Sequence, residues 1–111
     1  MSAKKVSLMD RRHIIGEIEL RYSHREQAAW GRFVGSEGLD KLALHRHEVD
    51  LVIGVDRESD GESLEYQDDY WFDYQWGDLL KTGSGRLHAW VRICFDGAEV
   101  AYGETDRIDL P

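Results

Sequence analysis

Between Leu87 and Phe95 every second residue is apolar (Leu87, Ala89, Val91, Ile93, Phe95), and the run ends directly on Asp96-Gly97. Such a period dictates a β-strand with one buried face, because successive side chains of a strand point to opposite sides. The Asp-Gly pair then supplies a two-residue hairpin turn, since both positions tolerate positive φ. Pairs summing to 193 set Phe95 against Ala98, Ile93 against Val100 and Val91 against Tyr102. On the other face the same register puts Trp90 opposite Gly103, where an aromatic ring covers a bare glycine.

A second stretch repeats the feature. Val49, Leu51, Ile53 and Val55 recur at alternate positions, and Asp60-Gly61 follows. With those two residues as the loop, pairs sum to 121, so Tyr66, Tyr70, Phe72 and Tyr74 face Val55, Leu51, Val49 and His47. Asp68, opposite Ile53, is the one polar residue on that otherwise apolar face.

Upstream, His13–Tyr22 also alternates and reads as a strand. Ser23 stands three residues before Glu26, the spacing of a helix capping box, and Ala28, Ala29, Trp30 and Phe33 supply an apolar stripe, so a helix is predicted over 24–34. Gly31 opposes it, Gly35, Ser36 and Gly38 end it, and Leu39–Leu44 adds a further helical turn or two. Residues 1–12 are expected to be a flexible basic segment at the head of a single domain spanning 1–111. Leu79 and Leu80 tuck into a glycine-rich loop over 77–85. The expected fold is α+β, with element order β-α-β-β-β-β: an antiparallel sheet of about five strands, with two Asp-Gly hairpins, packed on one short helix. A small all-β barrel is the alternative.

Charge is unevenly spread. The chain carries 14 Lys+Arg and 22 Asp+Glu, a net charge of −8. Residues 48–80 hold eleven of the acids and a single base, Arg57. The same segment holds Tyr66, Tyr70, Trp71, Phe72, Tyr74 and Trp76, six of the twelve aromatics. So many aromatics exclude a disordered acidic tail. The charge excludes direct nucleic-acid binding by this segment, which needs cations to release counterions. It suits a basic protein partner, because complementary charge speeds encounter and selects partners.

Motifs for catalysis or metal binding fall short. Asp56–Gly61 opens like an EF-hand loop, but Gln67 stands where a bidentate carboxylate is required. His45 and His47 would share one side of a strand but lack further ligands at any metal-binding spacing. His88 and Cys94 are six residues apart on one strand, about 20 Å at about 3.3 Å per residue, too far for a catalytic dyad. Gly83-Ser84-Gly85 lacks the lysine and the following helix of a phosphate loop. No metal or cofactor is expected, and no catalytic residue is assigned.

The primary expectation is a non-enzymatic inhibitor of the immunity or anti-defence kind, blocking a basic nuclease or other nucleic-acid-binding protein with a carboxylate-rich ribbon. Its contact residues would be Glu48, Asp50, Asp56, Glu65, Asp69 and Asp73, with Trp71 as anchor. The alternative is a small-molecule or catalytic pocket between helix and sheet, lined by His45, His47, Tyr70, Phe72, Tyr74 and Trp76. A homodimer using the aromatic strand is a third arrangement. The lone Cys94 and the lack of any apolar run approaching a membrane span or an export signal make the cytoplasm the expected address.

Overall fold

The most regular alternation in the sequence becomes the central strand of a sheet. In the computed structural model, which describes residues 2–10, 13–72, 74–83 and 85–109, eleven elements follow in order. They are β1 (Ser2–Asp10), β2 (His13–Ser23), β3 (Ala28–Gly35), α1 (Glu37–His45), β4 (Val49–Arg57) and β5 (Glu62–Asp69), then β6 (Tyr74–Trp76), β7 (Leu80–Lys81), β8 (Arg86–Phe95), β9 (Ala98–Glu104) and β10 (Ile108–Asp109). They build two five-stranded antiparallel sheets. The first runs β1-β2-β3-β6, with β7 also on β3, and the second runs β10-β8-β4-β5, with β9 also on β8. The α+β class with one short helix therefore holds, but the single five-stranded sheet is corrected to two, and among the described residues neither closes into a barrel.

The inner faces meet in one apolar core. Ile18 and Leu20 of β2 and Ala29 and Phe33 of β3 pack against Leu51, Ile53 and Val55 of β4 and Ala89, Val91 and Ile93 of β8. Each of these strands sends its alternate apolar residues into this core, which is how two sheets interdigitate. Helix α1 contributes fully buried Leu39, and the backbone N–H of Ser36 just before it bonds to Ile15 O at 2.9 Å.

The helix predicted over 24–34 is a strand. Ser23 Oγ does accept from Glu26 N–H, at 3.3 Å, but the bond closes the β2–β3 turn. Serine offers the same acceptor to turns and to helix starts, so the motif does not distinguish them. The register decides: Ala28–Gly35 pairs with Gly16–Ser23 throughout. Gly31 shows why a strand is required here. A Cβ on it would lie 2.7 Å from Ile53 Cγ2, so at this point β3 runs against the opposite sheet with no room for a side chain. The true helix start is Ser36, whose Oγ accepts from Leu39 N–H at 3.1 Å. Of the basic N-terminal segment, Ser2–Asp10 forms strand β1, with Val6 and Leu8 in register with Ile18 and Gly16 of β2.

Both hairpins form, and both registers differ from expectation. In β8–β9 the turn is as expected, with positive φ at Asp96 and Gly97 and Phe95 facing Ala98. A bulge beyond Cys94 then shifts the pairing, so Ile93 faces Ala101, Val91 faces Gly103 and Trp90 faces Glu104. The glycine under Trp90 is Gly54 of β4, where a Cβ would lie 2.0 Å from the indole. In β4–β5 the loop is four residues, 58–61, and Ile53 rather than Val55 faces Tyr66. Arg57 holds this wider loop by donating to both Asp60 oxygens, at 3.0 and 2.7 Å. Beyond Asp69 the ribbon ends, so the expected pairs of Tyr70 with Leu51, Phe72 with Val49 and Tyr74 with His47 do not form. Leu80 is buried as expected, whereas Leu79 is exposed.

Candidate functional site

The chain leaves the second sheet at Asp69 and joins the first at Tyr74, and the corner between them builds the most distinctive surface. Tyr70 N–H bonds to Val49 O at 2.9 Å. Its ring is buried, meets Phe33 edge-on with centroids 6.2 Å apart, and its hydroxyl donates to Asp40 of α1. Phe72 turns the chain with φ +66°. Buried Gln75 ties the corner together: its amide nitrogen donates to Asp69 O at 2.9 Å and its oxygen accepts Trp71 N–H at 2.8 Å.

Clamped in this way, Trp71 projects outward with 65% of its surface exposed. Its indole N–H donates to Asp68 Oδ2 at 2.9 Å, the same oxygen that accepts the Tyr66 hydroxyl at 3.0 Å. The other oxygen, Oδ1, accepts Asp69 N–H at 2.8 Å. Across the gap, edge strand β6 presents Tyr74 and Trp76 at alternate positions, with rings stacked 5.7 Å apart. These side chains and Gln75 line a shallow, widely open cleft of about 380 Å³.

The electrostatics of the cleft are anionic. The Trp71 indole N–H, helped by the Asp69 N–H and the Tyr66 hydroxyl, holds Asp68 below the usual carboxylate range. The same hydrogen bond raises the Tyr66 hydroxyl, with the charges of Asp68 and Asp78 adding to it. Among the described residues no Lys, Arg or His forms an ion pair with Asp68. At the margin the Arg32 guanidinium sits 4.7 Å over the Tyr74 ring while bonding Glu19 at 3.3 Å. A smaller cleft of about 290 Å³ lies on the far side of Trp76, lined also by Ser23, Glu26, Trp30 and Leu79.

The residues singled out from sequence are divided among several places. Asp50, Asp56, Glu65 and Asp69 share the outer face of the second sheet, and Asp50 lies directly opposite Asp69. Asp56 faces Ser63, and its carboxylate is engaged by Ser63 Oγ at 2.6 Å, Trp90 Nε1 at 3.1 Å and His88 Nε2 at 3.4 Å. Glu48 precedes β4, with its backbone N–H on Asp96 Oδ1 at 2.8 Å. Asp73 lies outside the described residues. Trp71 joins the cleft instead of the outer carboxylates.

Of the alternative pocket residues, Tyr74 and Trp76 line the cleft, while neither histidine does. His45 is the exposed last residue of α1, so it does not share a strand with His47. His47 pairs with Asp96 at 2.7 Å and stacks on Phe95 at 4.8 Å. Phe72 leans on Tyr70, 5.1 Å between centroids, and the space beneath α1 is taken by buried Leu39, Phe33 and Tyr70. Tyr66, Asp68 and Gln75 were not among the sequence candidates; the one signal for them was the carboxylate of Asp68 on an apolar strand face.

Cys94 is half-buried opposite Asp50, and burial, with the charges of Asp50 and Glu99, pushes its thiol up. That environment is the reverse of an activated nucleophile. Among the described residues no group of three or more His, Cys, Asp or Glu is arranged to hold a metal ion, and no helix is long and apolar enough to cross a membrane. Comparison with protein-family models, with curated proteins and with solved structures gives no match.

Proposed function

We propose that this chain is a non-enzymatic binding module that sets its acidic β4–β5 ribbon and the adjoining aromatic corner against a basic, nucleic-acid-handling protein and blocks it, as inhibitors of the immunity or anti-defence kind do. The observation that carries this reading is Trp71, 65% exposed and clamped in place beside the carboxylate of Asp68. A large ring held rigid by its own backbone and side-chain bonds loses little entropy on binding, which is what makes tryptophan an interface anchor. The segment is poor in its own counter-charge: Arg57 is the only base in 48–80, and it is paired with Asp60. A basic surface evolved to hold phosphates meets carboxylates here instead, and the attraction acts before contact.

The test is affinity capture from host lysate at low salt and at about 0.5 M, which shortens the Debye length severalfold. Wild type is compared with the Asp50/Asp69/Asp73→Asn variant, the captured protein is identified, and its nucleic-acid binding or cleavage is assayed with and without this chain. A basic protein held by wild type at low salt, lost with the variant, and inhibited by the chain is the expected result. Equal capture by both, or capture of a protein whose activity is untouched, overturns the reading.

A further inference from the structure

We infer that the corner cleft is a socket for one arginine side chain of that basic partner. The inference rests on the binding-module reading and names the group recognised at its centre. The walls are four aromatic rings with large exposed areas: Trp71 at 65%, Trp76 at 56%, Tyr74 at 46% and Tyr66 at 39%. Ring faces attract a cation within about 6 Å of the centroid, tryptophan most strongly. The Asp68 carboxylate, bonded to Trp71 and Tyr66, lines the same cleft, so the charge and the π-faces favour the same sign of ligand.

The hydrogen bonding of Asp68 selects among cations. A carboxylate has about four acceptor positions, and three are taken by Trp71 Nε1, the Tyr66 hydroxyl and Asp69 N–H. One is left on Oδ1, too few for a two-pronged salt bridge. An incoming cation must therefore draw its binding from the ring faces and from through-space charge. Guanidinium suits this, being planar, weakly hydrated and able to stack, whereas a lysine ammonium holds its water strongly. A quaternary ammonium gains most where rings enclose it, and this cleft is shallow and widely open. The molecule already shows the preferred contact at the cleft margin, where Arg32 lies over Tyr74. Arg32 itself does not line the cleft, and Glu19 holds it outside.

The experiment follows the four indole N–H signals of the full chain by ¹H–¹⁵N NMR during titration with a capped Gly-Ser-Arg-Ser-Gly peptide. Parallel titrations use the lysine peptide, the citrulline peptide and tetramethylammonium chloride. Saturable shifts of Trp71 and Trp76 are expected with arginine, with Trp90 unmoved because its ring lies on the outer face of the second sheet. The lysine peptide should bind several-fold more weakly, and the uncharged citrulline peptide should leave the signals in place. Asp68→Asn, which keeps an acceptor for Trp71, should weaken arginine binding about tenfold. Trp76→Ala tests the opposite wall without touching the corner, and should weaken it comparably. No saturable shift, an equal response to citrulline, or tighter binding of tetramethylammonium overturns the arginine socket. The two readings fail separately. A partner captured equally by wild type and Trp76→Ala sinks the socket and leaves the ribbon, while arginine binding without any captured partner sinks the inhibitor reading and leaves the socket.

Discussion

The two hairpins of the second sheet carry the same Asp-Gly pair and use it differently. In β8–β9 the pair is the whole loop, with φ +53° at Asp96 and +86° at Gly97. In β4–β5 only Gly61 has positive φ, Asp60 faces back to Arg57, and Glu58 and Ser59 join the loop. The partner strands explain the contrast. Strand β8 lies inside the sheet, paired with β4 on one side and with β9 and β10 on the other, so its alternation is fully used in the core. Strand β5 is an edge, and its inward-facing set, Leu64, Tyr66 and Asp68, overhangs the core without filling it. What the edge loses in burial it offers as surface: Tyr66 stays exposed and Asp68 half-buried, and both line the cleft.

The sharpest test of this difference is truncation in each hairpin. Ile93→Ala removes a fully buried side chain from the middle of the core and should cost about 2–5 kcal/mol. Leu64→Ala, at a half-buried position on the largely exposed β5, should cost about 1 kcal/mol. Urea unfolding of the two variants checks this, and equal losses would mean that β5 contributes to the core as β8 does.

A smaller effect probes what sets the β5 register. Deleting Glu58 and Ser59 leaves Asp60-Gly61 as a two-residue loop between Arg57 and Glu62, which already face each other. The Ile53–Tyr66 and Leu51–Asp68 pairs should survive, as read from cross-strand NOEs. The loss of the Glu58 N–H bond to Arg86 O and of the exposed Arg86–Glu58 pair should cost about 1–2 kcal/mol. A slip to new partners would show that the loop, not the strand faces, dictates pairing.

This contrast also explains how much could be read from sequence. Sliding β5 by two residues preserves which face each side chain takes, so the apolar face of β4 was legible even though every cross-strand partner was wrong. Asp68 stood out as a polar residue on that face, and the slip moves it opposite Leu51 near the strand end, where it meets Trp71. The corner itself was not legible. Nothing in Tyr70–Gln75 announces a change of sheet, because the residue that turns left-handed is Phe72, where glycine or asparagine is usual. Trp71 was recognisable as an anchor, but its neighbours depend on that turn. Ala28–Gly35 failed for a related reason: its stripe fits a helix as well as a strand, and only the close approach at Gly31 selects the strand.

The smallest expected effect distinguishes the two turn aspartates by pH. The Arg57 guanidinium, aided by the Glu62 N–H, lowers Asp60 to about 2. His47, aided by the Glu48 N–H, lowers Asp96 below its ordinary value. A carboxylate whose folded-state pKa is depressed stabilises the fold above its unfolded value of about 4, and that contribution is lost as pH falls through the depressed value. Both loops should therefore weaken under acid, β4–β5 at about pH 2. Carboxyl ¹³C titration by NMR reads each group directly. Arg57→Ala should return Asp60 towards about 4 and leave Asp96 in place, whereas His47→Ala should raise Asp96 alone. If either substitution moves both aspartates, the loops are electrostatically coupled and the two hairpins do not hold their turns independently.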